Sequence, residues 1–120
     1  MKYLCLIYSD ETAWEKLPKS DEQNMMSEYR TFGESIKTSG HLISGFRLQN
    51  TDAATTVRVR NGKMSTTDGP FAETKEQLGG FYLIEARDLN DAVQVAGRIP
   101  GAKLGSIEVR PIWEPAPQPA

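Results

Sequence analysis

Asp68 is the residue whose neighbours best suit acid–base chemistry. It begins the run Asp68-Gly69-Pro70-Phe71, in which Pro70 has a fixed φ and restricts the residue before it. A carboxylate beside such a turn is held by the backbone, as a general base or a ligand acceptor has to be. The structural alternative is that Asp68 caps its own turn by accepting hydrogen bonds from the following amides. Both interpretations stay open.

Two further residues are candidates for proton transfer. His41 is the only histidine of the chain and follows Gly40, where a helix is expected to end. It could act near neutral pH, or its charge could simply favour the helix C-terminus. Tyr29 could donate a hydrogen bond to a ligand in a cleft between helix and sheet, although its place in an apolar stripe also suits core packing. The candidate catalytic residues are therefore Asp68, Tyr29 and His41.

Charged residues near that turn and on a predicted strand are candidates for ligand binding. Glu73, Lys75 and Glu76 form a mixed-charge run that either is a solvated surface or places one charge at a pocket. Arg58 points outward from its strand and could bind a carboxylate of a ligand or pair with Glu108 across strands. The candidate ligand-binding residues are therefore Arg58, Glu73 and Lys75.

Composition and charge narrow the class of protein. The chain has 120 residues, of which 38% are hydrophobic and 25% charged, and its formal net charge is −2. These values are typical of one globular domain. No Lys/Arg block indicates a nucleic-acid or anionic membrane surface. One His and one Cys far apart offer no metal-ligand spacing, and Gly79-Gly80 precedes a strand rather than a helix, so neither a metal nor a cofactor is expected.

Cys5 and the N-terminal residues indicate the cellular compartment in which the protein is expected. The lone Cys5 cannot form an internal disulfide and lies in an apolar run, so it is interpreted as a small buried hydrophobe. No apolar run reaches the roughly 20 residues of a membrane-spanning helix, and the N-terminal run is too short for a signal peptide. The cytoplasm is the expected location, and no membrane partner is expected.

Two amphipathic helices are expected to position the candidate residues. The first begins at a capping box of Ser20 and Gln23 and runs for about 18 residues. Its apolar side chains share one face: Met25, Tyr29, Phe32 and Ile36. Gly33 within it predicts a close approach to a sheet. The second helix is capped by Asp88 and ends at Pro100-Gly101.

The remaining regular segments are predicted strands. They lie at residues 2–8, 41–49, 55–60, 63–67, 80–86 and 106–112. Asn61-Gly62 joins two of them as a hairpin, because both turn residues must accept a positive φ. Val57 and Val59 of that hairpin are expected to face inward. The first strand and the strand at 80–86 are apolar on both faces, so each should be covered on both sides.

The order of these elements predicts an α+β fold with two helices on one face of an antiparallel sheet. The other face then needs a partner, and Leu4, Leu6, Tyr82 and Ile84 are candidates for it. A two-fold homodimer with its sheets face to face is the simplest solution. Residues 1–112 are expected to form one domain and the Pro-rich residues 113–120 a flexible tail.

The run DGPFAETKEQLGGFY from Asp68 to Tyr82 resembles the DGPF branch of the YCII-related family. The likeness extends from Lys2 to Ile112 and includes the opening KYLCLIY and the closing GSIEVRP. It implies a ferredoxin-like subunit that dimerises into an α+β barrel, which agrees with the element order.

The resemblance also implies a place to look for catalysis. In YCII-type members a histidine of the first helix and an aspartate before a Pro-Tyr form a proposed acid–base pair. Tyr29 stands at about the position of that histidine, and Ile99 precedes Pro100 where the aspartate would stand. The pair is therefore not carried over to this chain.

Two classes of function follow from the residues and the resemblance. The first is a cofactor-independent enzyme that acts on a small organic molecule, with Asp68 as acid/base and Tyr29 or His41 assisting. The second is a non-catalytic protein that binds a small molecule or acts as a regulatory partner. The family includes a dehydrochlorinase, and DGPF-type genes are often neighbours of genes for extracytoplasmic-function sigma factors, so such a sigma factor is the implied regulatory partner.

Overall fold

An antiparallel four-stranded sheet organises the chain. The computed structural model describes residues 1–115. Its helices and strands are, in chain order, β1 (Lys2–Ser9), α1 (Glu11–Glu15), α2 (Lys19–Thr38), β2 (Leu42–Arg47), β3 (Thr55–Arg60), β4 (Lys63–Asp68), β5 (Gln77–Glu85), α3 (Leu89–Gly97) and β6 (Ser106–Pro111). The sheet has the order β2-β5-β1-β6. With α2 and α3 it follows the β-α-β-β-α-β pattern of a ferredoxin-like fold, so the predicted α+β class is confirmed.

Helix α2 forms where the apolar spacing predicts it, and Gly40 follows its end with a φ of +83°. Its start differs from the prediction. Pro18 stands at the N-cap without a side-chain hydrogen bond, and the helix begins at Lys19 rather than at a capping box on Ser20. Proline has a φ already close to the helical value, here −55°, so the chain enters the helix without a serine cap.

Aspartate side chains cap the other two helices. Asp88 accepts a hydrogen bond from the amide of Asp91 at 2.9 Å and begins α3, as predicted. Asp10 accepts from the amide of Thr12 at 2.9 Å and begins α1. The sequence did not predict α1, because a five-residue helix is too short to show an apolar period. This short helix carries Trp14.

The core lies between α2, α3 and one face of the sheet. Its buried members are Tyr3, Cys5, Phe32, Ile36, Ile84, Ala86, Ala92, Val95, Ala96 and Ile99. Tyr82 packs beside them, with its ring centroid 5.3 Å from that of Phe32 in an edge-to-face arrangement. Burial of this apolar set is the main free-energy term that holds the helices on the sheet.

The sheet face away from the helices is apolar along the middle of β1 and β5, and on β6 it carries the ion pair of Glu108 and Arg110. The register of β1 against β5 pairs Leu4 with Leu83 and Leu6 with Phe81, and directly opposed residues share a face. Tyr82 and Ile84, two of the four candidates for this side, pack towards the helices instead. Phe46 pairs with Phe81, with ring centroids 6.0 Å apart. We call Leu4, Leu6, Phe46, Phe81 and Leu83 the open sheet face.

Strands β3 and β4 form a separate two-stranded hairpin. Asn61-Gly62 makes its turn with positive φ at both residues, as predicted. The prediction that Val57 and Val59 face inward was wrong: they are 57% and 59% exposed, because the hairpin is a sheet of its own with no layer packed on it. Val59 lies opposite Met64, so one hairpin face is apolar. The other face carries Arg58, Arg60 and Lys63.

Cys5 is fully buried in the core. Burial raises the pKa of its thiol to about 11, because desolvation disfavours the charged thiolate. The interpretation of Cys5 as a small buried hydrophobe is confirmed.

Within residues 1–115, no helix combines the length and the apolar character needed to cross a membrane. Of the predicted tail at 113–120, residues 116–120 lie outside the described residues. Trp113, just before them, is 85% exposed.

Close approaches to the sheet occur at strand glycines and not at the helix glycine. A Cβ on Gly33 would have no atom within 4 Å, so the prediction of a close approach there was wrong. A Cβ on Gly80 would lie 2.8 Å from the carbonyl oxygen of Phe46. One on Gly45 would lie 2.6 Å from Cδ1 of Tyr82. Strands β2 and β5 can therefore pack this closely only with glycine at these positions.

The two kinds of glycine predict opposite effects of the same substitution. Gly80→Ala should destabilise the protein by about 1–3 kcal/mol, because the new methyl group overpacks against a backbone carbonyl that cannot move away. Gly33→Ala should stabilise it by about 1 kcal/mol, because alanine has the higher helix propensity and the site is open. Urea denaturation of both variants at one protein concentration measures the difference. A stability unchanged by Gly80→Ala would contradict this account of β2–β5 packing.

Candidate functional site

A cleft of about 210 Å³ opens between α2 and the helix-covered face of the sheet. It lies where β1 ends and β5 begins. Met26 and Tyr29 of α2 form one wall, and Trp14 of α1 lies at its edge. We call this space the α2–sheet cleft. Its mostly apolar lining with a few polar groups is typical of sites for small organic molecules.

Glycines form the sheet side of the cleft. In the β1–β5 register Ile7 faces Gly80 and Tyr8 faces Leu78, so Gly79 is the extra residue of a β-bulge. The carbonyl of Gly79 accepts a hydrogen bond from the amide of Leu48 at 2.8 Å, which holds the bulge. Without side chains at this point the sheet presents bare backbone to the cleft, as strands do where a ligand approaches closely.

Tyr29 presents a protonated phenol to the cleft. Its hydroxyl accepts a hydrogen bond from the amide of Gly101 at 3.1 Å, the only hydrogen bond it makes within residues 1–115. Burial raises the pKa of Tyr29 above 10, and this outweighs the hydrogen bond from Gly101 and the charge of Arg47, which lower it. Burial likewise raises the pKa of Tyr82. Both phenols therefore keep their protons near neutral pH and are available as donors.

Arg47 is the cation of the cleft. Its guanidinium carbon lies 5.8 Å from the ring centroid of Trp14, within cation–π range, and its Nη1 lies 3.9 Å from the sulfur of Met26. Within the described part of the chain it forms no ion pair. The other charged residue lining the cleft is Glu11. Its carboxylate is already occupied, because it accepts from the amide and hydroxyl of Thr51 at 2.7 and 2.9 Å.

Helix α1 is tied to the cleft by polar contacts. The amide of Glu11 donates to the side chain of Gln77 at 2.9 Å, and the side chain of Asn50 donates to Glu15 at 3.0 Å. These bonds keep Trp14 next to Arg47 at the edge of the cleft.

Of the six candidate residues named from the sequence, Tyr29 lines the cleft and the other five do not. Asp68 is exposed at the end of β4, opposite Thr55. The amide of Gly69 donates to Ala54 at 2.7 Å rather than to the Asp68 carboxylate. The three candidates for ligand binding are also exposed: Arg58, Glu73 and Lys75. Glu108 pairs with Arg110 and not with Arg58.

His41 belongs to a separate cluster, which is lined by other residues than the cleft. Its Nε2 lies 3.2 Å from both carboxylate oxygens of Asp91, and its Nδ1 lies 2.7 Å from the hydroxyl of Ser39. A carboxylate only accepts, so this geometry places a proton on Nε2, which donates to Asp91. The cluster joins the end of α2 to the start of α3.

The two chain segments that the resemblance singled out do meet. Tyr29 of α2 touches Gly101, which follows Pro100, through the hydrogen bond described above. Ile99 itself is buried at 1% exposure and packs in the core. Tyr29 thus stands in the cleft without a carboxylate from that segment beside it.

Sequence reasoning missed Arg47, Trp14 and Tyr82 as residues of the cleft. One signal was present: two adjacent glycines inside an apolar strand, Gly79-Gly80, indicate a bulge or a close backbone approach. No group of three or more His, Cys, Asp or Glu side chains within residues 1–115 is placed to hold a metal ion.

Comparisons with known proteins identify one matching family model and one similar protein. The family model of the YCII-related domain matches residues 1–115. The chain is also similar to an uncharacterized protein of Rhizobium meliloti (strain 1021), with 39% identity over 114 residues that cover 93% of this chain and 92% of the relative.

The Asp91 cluster predicts a pH dependence of stability. The amide of Arg87 and then the ring of His41 lower the pKa of Asp91 below 3.8, against the opposing effect of partial burial. A lowered folded-state pKa adds stability above pH 3.8 that is lost as the pH falls through and below that value. Asp91→Asn should therefore lower the denaturation midpoint at pH 7, and the difference from wild type should shrink below pH 3.8.

Thermal denaturation between pH 3 and 7 measures this effect, with Asp52→Asn as the matched control because Asp52 is exposed. An Asp91→Asn penalty that is equal at pH 3 and pH 7 would mean that the contribution is packing and not charge.

Proposed function

The chain belongs to the YCII-related domain family, and we propose that it binds a small organic molecule in the α2–sheet cleft. One observation carries the proposal: the guanidinium of Arg47 and the phenols of Tyr29 and Tyr82 converge on a mostly apolar cleft. Few polar groups on apolar walls are typical of small-molecule sites, where the walls supply affinity and the polar groups fix orientation.

The cleft also has features that a folded chain does not need for stability. A β-bulge at Gly79 interrupts the pairing of the two central strands. Arg47 forms no ion pair within residues 1–115. Bulges are over-represented beside functional sites because they re-aim the backbone. Arg47 is exposed, so its charge is available to a ligand that binds beside the bulge.

We extend the proposal to a homodimer. The open sheet face is apolar, and Phe46 on it is 67% exposed; a contiguous apolar face of this kind is rare on a monomer. A two-stranded hairpin is at best marginally stable by itself, and Val57, Val59 and Met64 are all more than half exposed. A two-fold pairing of identical chains covers both surfaces with one interface.

The catalytic alternative is a cofactor-independent enzyme. The protonated phenol of Tyr29 suits a general acid or an oxyanion donor. Asp68 lies outside the cleft of its own chain, so its role as a base requires that a second copy of the homodimer supplies it. His41 is held between Ser39 and Asp91, which makes Tyr29 the better assisting residue. Turnover that survives Asp68→Asn would exclude Asp68 as the base.

The remaining assignments stay predictions. Roles for Arg58, Glu73 and Lys75 in ligand binding depend on a partner copy or a ligand that reaches beyond the cleft. Association with an extracytoplasmic-function sigma factor is drawn from the resemblance. A cytoplasmic location belongs to the same proposal, because a chain with one buried thiol fits a reducing compartment.

Binding in the cleft is tested by ¹⁵N–¹H spectra of the labelled protein with benzoate, benzamide, catechol and indole as probes. At least one probe should shift the amide signals of Gly45, Gly79 and Gly80, which occupy the separate glycine region of the spectrum. Gly79→Val should abolish the shifts by filling the cleft, since a Cβ there has its nearest neighbour at 3.9 Å and is tolerated. Gly97→Val is the control, in open space outside the cleft.

Probe-induced shifts confined to the open sheet face, or no shifts with any of the four probes, would contradict the cleft as the binding site. Probes recovered chemically altered would favour the catalytic alternative over simple binding.

The homodimer is tested by light scattering coupled to gel filtration. The wild-type protein should have twice the 13.3 kDa mass of the chain, and Leu6→Glu should halve it by burying a charge in the interface. Leu104→Glu should leave the mass unchanged, because Leu104 is 47% exposed and lies outside the strands that form the open sheet face. A monomeric wild-type protein would contradict the proposal.

A further inference from the structure

The groups of the cleft that are free to bind a ligand favour an anion, because the guanidinium of Arg47 is exposed and forms no ion pair within residues 1–115, whereas the carboxylate of Glu11 already accepts hydrogen bonds from Thr51. Resting on the proposed function of the cleft, we infer that its ligand is a small planar aromatic carboxylate, with the carboxylate on Arg47 and the ring between the glycine backbone and the aromatic side chains.

The charge of the cleft selects an anion. Arg47 and Glu11 are the charged residues among those that line it. Glu11 has its carboxylate satisfied by Thr51, whereas the guanidinium of Arg47 contacts only a thioether and an indole face. A guanidinium binds a carboxylate through two parallel hydrogen bonds, which neither of those contacts replaces. A cationic ligand would be repelled by the same group.

The donors of the cleft favour an oxygen acceptor. The raised pKa values of Tyr29 and Tyr82 keep both phenols neutral and able to donate. Tyr29 already uses its oxygen to accept from Gly101, so what it offers a ligand is its proton. Two O–H donors and one guanidinium are complementary to a carboxylate or a carboxylate with a neighbouring hydroxyl.

The shape of the cleft favours a ring. On the sheet side the open backbone is that of Gly79, where a Cβ would have its nearest neighbour at 3.9 Å, while the ring of Tyr82 covers Gly45. Trp14 and Tyr82 offer aromatic surfaces around it, and aromatic rings pack best on such surfaces when offset or edge-to-face. The volume of about 210 Å³ lies below the roughly 300–1,000 Å³ of pockets for drug-sized ligands, which favours a small ligand such as a single substituted ring.

Trp14 makes the inference measurable, because it lies against Arg47 and its fluorescence should respond to a ligand there. The chain has two tryptophans, and the other, Trp113, is 85% exposed. Trp113→Phe therefore gives a protein whose tryptophan emission comes from the cleft alone. The test titrates this protein with benzoate, with its neutral isostere benzamide and with the non-planar cyclohexanecarboxylate.

Benzoate should change the Trp14 emission saturably and bind about tenfold or more tightly than benzamide, since a charge-assisted bidentate pair is lost in the amide. Cyclohexanecarboxylate should bind more weakly than benzoate because its ring is not flat. Added salt should weaken benzoate binding and leave benzamide unaffected. Arg47→Gln should abolish the preference for benzoate.

Arg98→Gln is the matched control, because Arg98 also lies over an aromatic ring, 5.9 Å from the centroid of Phe32, but does not line the cleft. It should leave benzoate affinity unchanged. Equal affinities for benzoate and benzamide, or a preference that persists in Arg47→Gln, would overturn the carboxylate assignment while glycine amide shifts still upheld the cleft as a binding site. Absence of those shifts with every probe would overturn both.

Discussion

The pairing of β1 with β5 is the constraint on which the rest of the structure depends. Its register decides which side chains face the helices and which form the open sheet face, since alternate residues of a strand point to opposite faces. The same pairing contains the bulge at Gly79, and next to it Gly80 lets β2 approach within contact distance. One strand pair therefore sets the core, the second apolar face and the sheet side of the cleft together.

The sequence predicted most of this framework and failed where a pattern was symmetric or short. A strand that is apolar on both faces indicates that both faces are covered, but the pattern does not show which residues lie on which face. Tyr82 and Ile84 were therefore candidates for the uncovered face, although they face the helices. Val57 and Val59 alternate correctly for a strand, yet alternation cannot tell a sheet that joins the core from a hairpin that stands apart. Helix α1 has only five residues, too few to show a repeated apolar spacing.

The candidate site was less predictable than the fold, for a physical reason. Asp68 and His41 were named for their own chemistry, whereas the cleft is made by residues from α1, α2, β2 and β5 that become neighbours only after folding. In the sequence Arg47 is one charged residue at the end of a strand. Only the folded structure shows that it lines the cleft and has no ion-pair partner within residues 1–115. Tyr29 was identified because its spacing in α2 and its hydroxyl could be weighed together.

The burial of Cys5 has a practical consequence. Its pKa of about 11 leaves it with roughly a few hundredfold less thiolate near neutral pH than an ordinary cysteine with a pKa of about 8.5, and its sulfur lies inside the core. A cysteine introduced anywhere on the surface would be the one thiol that reagents reach. Spectroscopic labels can therefore be attached at chosen points, on the hairpin or beside the cleft, in a chain that keeps its native core.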